Sequence, residues 1–134
     1  IQLVREFDPS LPEIRGDPER LTQALLNFIR NSAQAMGKKG VLKVRTRIKT
    51  DFRIKGKEGC GFRMVLIEII DNGSGIAAGD MDKIFMPFFS TKKGGSGLGM
   101  AIAQGIIDQH EGILRLDSKP GRGTTVSVYL RTSL

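Results

Sequence analysis

Residues 71–100 read DNGSGIAAGDMDKIFMPFFSTKKGGSGLGM, with glycines crowded at both ends and a greasy segment carrying two adjacent lysines between them. Glycine loses more conformational freedom on ordering than any other residue, so it marks places where backbone turns tightly or approaches something closely. Asp71-Asn72-Gly73 follows FRMVLIEII (62–70), whose apolar and β-branched content predicts a central strand. Asn-Gly between two strands is the strongest short hairpin signal. The following SGIAAGDMDK does not alternate, however, which argues that the acidic residue ends a strand instead of opening a hairpin.

Working outward, VLKVRTRIK (41–49) alternates Leu42, Val44, Thr46 and Ile48 with four basic residues, which predicts a strand with one solvated face, paired to 62–70. IQLVREF at the start predicts a short strand. Asp17-Pro18 reads as an N-cap with proline at the first helical position. The helix it opens places Leu21, Leu25, Phe28, Ile29, Ser32 and Met36 on one face, with Gly37 as its stop. A short helix is expected at 80–85 and a longer one at 97–112, then a hairpin of ILRLDS (113–118) and TTVSVYL (124–130) around PGRG. Helices separated by antiparallel strand pairs imply an α+β fold, one mixed and mostly antiparallel sheet with helices packed on one face.

The 134 residues suit one domain, 1–134, without repeat or low-complexity tract, and no apolar run is long enough to span a membrane. Ile1 stands where an initiator methionine would, as in an excised domain, and opens no secretory signal. The single cysteine, Cys60, excludes a disulfide framework and fits a cytoplasmic setting. The formal charge of +7 is concentrated in residues 38–63. That stretch lacks interleaved aromatics to stack bases, so no nucleic-acid partner is expected.

Four groups of residues could carry chemistry. Asn27 and Asn31, four apart, project from one side of the first helix. They are either two amides on a wet surface shared with Gln23 and Gln34, or oxygen ligands for a hard cation such as Mg²⁺. Asp71 is either a turn residue or a carboxylate at the floor of a pocket. In a pocket it would accept hydrogen bonds from the amine of adenine and disfavour the keto oxygen of guanine, by roughly 1–3 kcal/mol. Gly73 and Gly75 would let a flat ligand lie on bare backbone. In GGSGLGM, Gly95, Gly97 and Gly99 open a helix whose free N–H groups suit phosphate. The spacing matches neither the P-loop nor the dinucleotide fingerprint. Phe85, Phe88 and Phe89 before Ser90-Thr91-Lys92-Lys93 are either core or the root of a lid over a nucleotide.

Together and in this order, LTQALLNFIRNSAQAM, DNGSGI, KIFMPFFSTKK and GGSGLGM resemble the N, G1, F and G2 boxes of the GHKL superfamily, specifically the catalytic domain of sensor histidine kinases. The resemblance spans nearly the whole chain. It implies the Bergerat α/β sandwich and binding of ATP with Mg²⁺. It makes Asn31 the metal ligand, Asn27 a second polar group there, and Asp71 the adenine acceptor. Gly73, Gly75 and Ile76 would line the adenine pocket, with Thr124 helping to hold the base. Lys92 and Lys93 would lie on the lid, and Gly95, Gly97, Leu98 and Gly99 would wrap the phosphates. Asn27 and Lys92 would carry the catalytic roles.

Hydrolytic relatives have a water-activating glutamate where Asn27 stands, and an amide cannot accept that proton. The chain therefore looks made to hold ATP for another nucleophile, a histidine on a separate dimerisation domain. The sole histidine, His110, is expected to be structural. It sits in HEG where such kinases often show HGG. FDPSLPEIRGDPERL and PFFSTKKGG resemble the nitrogen-regulatory NtrB type, which implies an NtrC-type response regulator and a PII signal protein as partners and, for this domain alone, a monomer. An anti-sigma serine kinase and a non-enzymatic ATP sensor share the same boxes and remain open at this point.

Overall fold

The computed structural model of the chain describes residues 1–52, 62–87, 89 and 98–132. Among these residues, five strands form one sheet in the order β1-β2-β3-β5-β4: β1 Gln2–Glu6, β2 Val41–Phe52, β3 Phe62–Asp71, β4 Ile113–Lys119 and β5 Gly123–Arg131. β1 runs parallel to β2 and every other pair is antiparallel, so the sheet is mixed. Two α-helices, α1 Pro18–Met36 and α2 Gly99–Gln109, pack on one face. This is the Bergerat-type sandwich expected from the boxes. Among the described residues no helix is long and apolar enough to cross a membrane.

The central strand is β3, the most apolar of the five, because only the middle of the sheet lets both of its faces be covered. Its inward Ile69 meets Phe28 and Ala24 of α1, Ala103, Ile106 and Ile107 of α2, and Val126, Val128 and Leu130 of β5 in one buried core. The helical spacing of Leu21, Ala24, Phe28 and Ser32 is what turns one side of α1 inward. Asp17 caps that helix by accepting from the N–H groups of Glu19 at 3.0 Å and Arg20 at 3.3 Å, and Gly37 ends it at φ 68°.

Three expectations are corrected. Residues 80–85 form no α-helix: a 3₁₀ turn at Ala78–Asp80 continues through turns whose N–H groups reach mainly three residues back, from Lys83 to Asp80 and from Met86 to Lys83. Gly79 within that turn and Pro87 at its end leave too few residues for an α-helical nucleus. Nor is the basic face of β2 simply solvated. Register places Arg45 opposite Glu68, the one acid in the apolar run of β3. Arg45 grips both carboxylate oxygens, at 3.0 and 3.2 Å, and Arg47 adds a contact at 3.3 Å. The Glu68 side chain is only 9% exposed, and its hydrogen bonds hold Arg45 more firmly protonated. A buried carboxylate needs such partners.

α2 is shorter than the 97–112 expected, ending at Gln109. Glu111 N–H bonds to the Asp108 carbonyl at 3.0 Å and Gly112 N–H to that of Ile107 at 3.0 Å, the double closure of a Schellman motif. The residue that must take the left-handed conformation is Glu111, at φ 55°. Its pair with Arg131, at 3.6 Å with the Glu111 side chain 75% exposed, offsets little of that strain. Glu111→Gly should therefore stabilise the protein by about 0.5–1 kcal/mol, read as a higher melting midpoint by circular dichroism.

Candidate functional site: the end of the central strand and the start of α2

Asp71 is the last residue of β3 and is buried. Its chain continues into the 3₁₀ turn at Ala78–Asp80 and the turns after it, so Asn72-Gly73 makes no hairpin. The carboxylate Oδ1 accepts the N–H of Gly73 at 2.9 Å and that of Thr124 at 3.3 Å. Among the described residues, none donates to its other oxygen, Oδ2. Thr124 is the cross-strand partner of Asp71, and Ser118 is that of Thr124. Three polar side chains thus stand side by side across β3, β5 and β4 at one end of the sheet, on the helix side.

The loop that follows Asp71 is clamped from two sides. A Cβ on Gly73 would lie 2.8 Å from the Ala35 carbonyl of α1, and Ser74 N–H bonds to that carbonyl at 3.3 Å. Gly75, at φ 73°, passes so close to the Lys119 carbonyl that a Cβ would overlap it. Gly121 N–H reaches the Ser74 carbonyl at 2.7 Å, and Ile76 N–H reaches Ser118 Oγ at 2.8 Å. The sequence suggested that Gly73 and Gly75 make room for a ligand. Their first requirement is instead set by the chain's own backbone.

At the other end, Asn27 Nδ2 donates to the carbonyl of Gly99, the first residue of α2, at 3.2 Å. Leu98 at the N-cap supplies no side-chain acceptor to the first turn of that helix. Asn27, Asn31 and Ala35 are four apart along one side of α1. They run from the start of α2 to the Gly73 loop, a distance of about 12 Å at 1.5 Å per residue. Both asparagines are half-buried. The structure therefore brings Asp71, Gly73, Ile76 and Thr124 together, brings Asn27 to Gly99, and spaces the two groups along α1 with Asn31 between. Lys92, Lys93, Gly95 and Gly97, with Phe88 and Cys60, lie outside the described residues, whereas Phe85 and Phe89 are half-buried. A separate depression between α1 and α2, lined by Arg20, Gln23, Ile102 and Gln109 among others, shares none of these groups.

His110 has no freedom to react. Its Nε2 accepts the Asp17 N–H at 3.0 Å, which places the proton on Nδ1, and Nδ1 donates to the Ile106 carbonyl at 2.7 Å. It ties the C-terminus of α2 to the N-cap of α1. Sequence reading overlooked this link and Ser118 as well. An isolated serine on an alternating strand carries no signal until the neighbouring strands are placed.

A family model described as histidine kinase-, DNA gyrase B-, and HSP90-like ATPase matches residues 16–134. The chain belongs to this ATPase family. Within the family it is similar to the sensory histidine kinase/phosphatase NtrB of Klebsiella oxytoca, 43% identical over 97% of the chain and 37% of that protein. It is also similar to the sensor histidine kinase ZraS of Escherichia coli K12, 40% identical over 100% of the chain and 26% of that protein. The chain thus spans between about a quarter and little more than a third of these curated relatives. Among solved structures, the catalytic domain of histidine kinase ThkA superimposes with a TM-score of 0.78 at 26% identity, covering 98% of this chain and 78% of that one. The mycobacterial sensor histidine kinase MprB does so at 0.75 and 27%, covering 97% and 80%.

The clamped loop yields a contrast that thermal denaturation can read. Gly75→Ala should cost about 2 kcal/mol or more, because the new methyl meets the Lys119 carbonyl and the left-handed φ is strained. Gly105→Ala in α2, where nothing lies within 4 Å of the added Cβ, should instead stabilise by about 0.5–1 kcal/mol through helix propensity.

Proposed function

We propose that this domain binds Mg-ATP in the cleft along α1 and donates the γ-phosphoryl group to a histidine on a separate dimerisation domain of a two-component sensor kinase. The observation that carries this reading is Asp71. A buried carboxylate has one oxygen held by two backbone N–H groups and the other without a donor among the described residues, which is the arrangement that receives an amine of adenine. Gly73, Gly75, Ile76 and Thr124 frame the base. About 12 Å along the helix, the start of α2 with Leu98 and Gly99 receives phosphate on its first-turn N–H groups, with Gly95 and Gly97 completing that wrap.

Asn31, half-buried between the two ends, would offer a carboxamide oxygen to Mg²⁺, which takes few protein ligands beside phosphate oxygens and waters. When bound, the ion would neutralise charge on the triphosphate. Lys92 and Lys93 would do the same from the lid. Asn27 keeps the start of α2 in place through Gly99, and as an amide it takes no proton from water, which fits transfer to a stronger nucleophile over hydrolysis. In the transfer, the bond from the γ-phosphorus to the β,γ-bridging oxygen breaks, a phosphorus–nitrogen bond forms on an imidazole, and ADP leaves. His110 is not that imidazole, since both its ring nitrogens are engaged.

The similarity to NtrB supports a nitrogen-regulatory sensor kinase. In this proposal its phosphoryl group would pass to an NtrC-type response regulator, with a PII signal protein as a further proposed partner. Calorimetric titration with Mg-ATP tests the first half of the reading. Saturable binding should fall at least about tenfold in Asp71→Asn, whose amide puts a donor where an acceptor is needed. The second half is checked with γ-labelled ATP and a supplied histidine-bearing domain. Label should appear on that domain and be acid-labile. Label on a serine, or none, would overturn the histidine assignment.

A further inference from the structure

Ser118 belongs to none of the sequence boxes, yet it meets three polar groups beside Thr124, its cross-strand partner. Its Oγ lies 2.8 Å from the Ile76 N–H, 3.1 Å from the Gly123 carbonyl oxygen and 2.8 Å from Thr124 Oγ1. The Ile76 N–H can only donate and the Gly123 oxygen can only accept. Ser118 owns one proton. If all three contacts are hydrogen bonds, that proton lies on Gly123, and Thr124 must donate its own proton to Ser118. Thr124 Oγ1 then presents only lone pairs to whatever approaches it. Beside it, Asp71 Oδ2 is also an acceptor without a donor among the described residues. Thr124 Oγ1 and Asp71 Oδ2 are therefore a pair of acceptors at this end of the sheet.

We propose that Ser118 is a positioning residue that sets the hydrogen-bond polarity of Thr124, so that the pocket takes a ligand with an amino group and rejects the same ligand with a keto oxygen. This rests on the nucleotide-binding reading and deepens it: discrimination at the purine 6-position is shared between Asp71 and Thr124, and Ser118 fixes the contribution of Thr124. Without Ser118, the Thr124 hydroxyl is free to turn and donate to a keto oxygen. The Ile76 N–H simultaneously loses its partner, which is expected to weaken binding of all nucleotides alike.

The discriminating readout is consequently a ratio. Mg-ATP and Mg-ITP, which differ in the ring at the 6-position amine or keto group and its N1 proton, are titrated against the 134-residue chain. The wild type should prefer ATP. Ser118→Ala should shrink the ITP-to-ATP ratio of dissociation constants by about tenfold, and Ser118→Thr, which keeps the hydroxyl, should restore it. In a Thr124→Val background, where no hydroxyl remains to turn, adding Ser118→Ala should leave the ratio unchanged. If Ser118→Ala melts below the assay temperature, Ser118→Cys replaces it, since a thiol is a weak acceptor, and the same fall is expected. An unchanged ratio in either variant, or an equal fall in the Thr124→Val background, would overturn the role of Ser118 while leaving ATP binding intact. A wild type that binds neither nucleotide would instead overturn the nucleotide reading itself.

Discussion

A carboxylate at the buried end of the central strand has to be solvated by protein groups, and the loop and strands around it are arranged to meet that requirement. Asp71 is brought to its position by β3, which can occupy the middle of the sheet only because nearly every other residue in it is apolar. Its Oδ1 is satisfied by the N–H of Gly73 ahead of it in the chain and that of Thr124 across the sheet. Satisfying the carboxylate from those two directions brings the post-strand loop against β5. The loop must then thread between Ala35 of α1 and the Lys119–Gly121 turn, where no side chain fits at residues 73 and 75. The contacts that satisfy the carboxylate thus belong to the same loop that holds the sheet to the helix.

The two helices are tied to one another at both ends by polar groups that the core does not need. Asn27 holds the start of α2, and His110 holds its end to the cap of α1. Between these links lie the apolar contacts of Leu21, Ala24, Phe28, Ala103, Ile106 and Ile107. Apolar packing is indifferent to small shifts along a helix axis, whereas hydrogen bonds at both ends set the register of α2 against α1. That register determines where the first-turn N–H groups of α2 stand relative to Asn31. The opposite face of the sheet follows the same logic on a smaller scale, with Glu68 drawing in Arg45 and Arg47.

Much of the fold was legible in residue order. Period-two alternation located β2, apolar composition located β3, and the Asp17-Pro18 cap with Gly37 bounded α1 at Pro18–Met36. The reading of 80–85 as a helix failed because apolar spacing over so short a span cannot outweigh the nucleation cost beside Gly79 and Pro87. The reading of the β2 basic residues as simply solvated failed because a cross-strand partner is invisible until register is set. The motifs singled out Asp71, Thr124, Asn27 and Asn31, and the structure sets Asp71 beside Thr124 and Asn27 on Gly99, whereas nothing in the sequence pointed to Ser118 or to the fixed tautomer of His110.

What the sequence determines by itself is local and periodic. It decides which segments are helix or strand, which face of each is apolar, and that an acid stands at the end of a buried run, since each follows from the chemistry of residues within a few positions of one another. Only the tertiary structure decides which groups meet. Ser118 and Thr124 are six residues apart across a hairpin, Asp71 and Thr124 are 53 apart, and Asp17 and His110 are 93 apart. Hydrogen bonds act over about 3 Å, so their partners are chosen by sheet order and helix register and not by proximity along the chain.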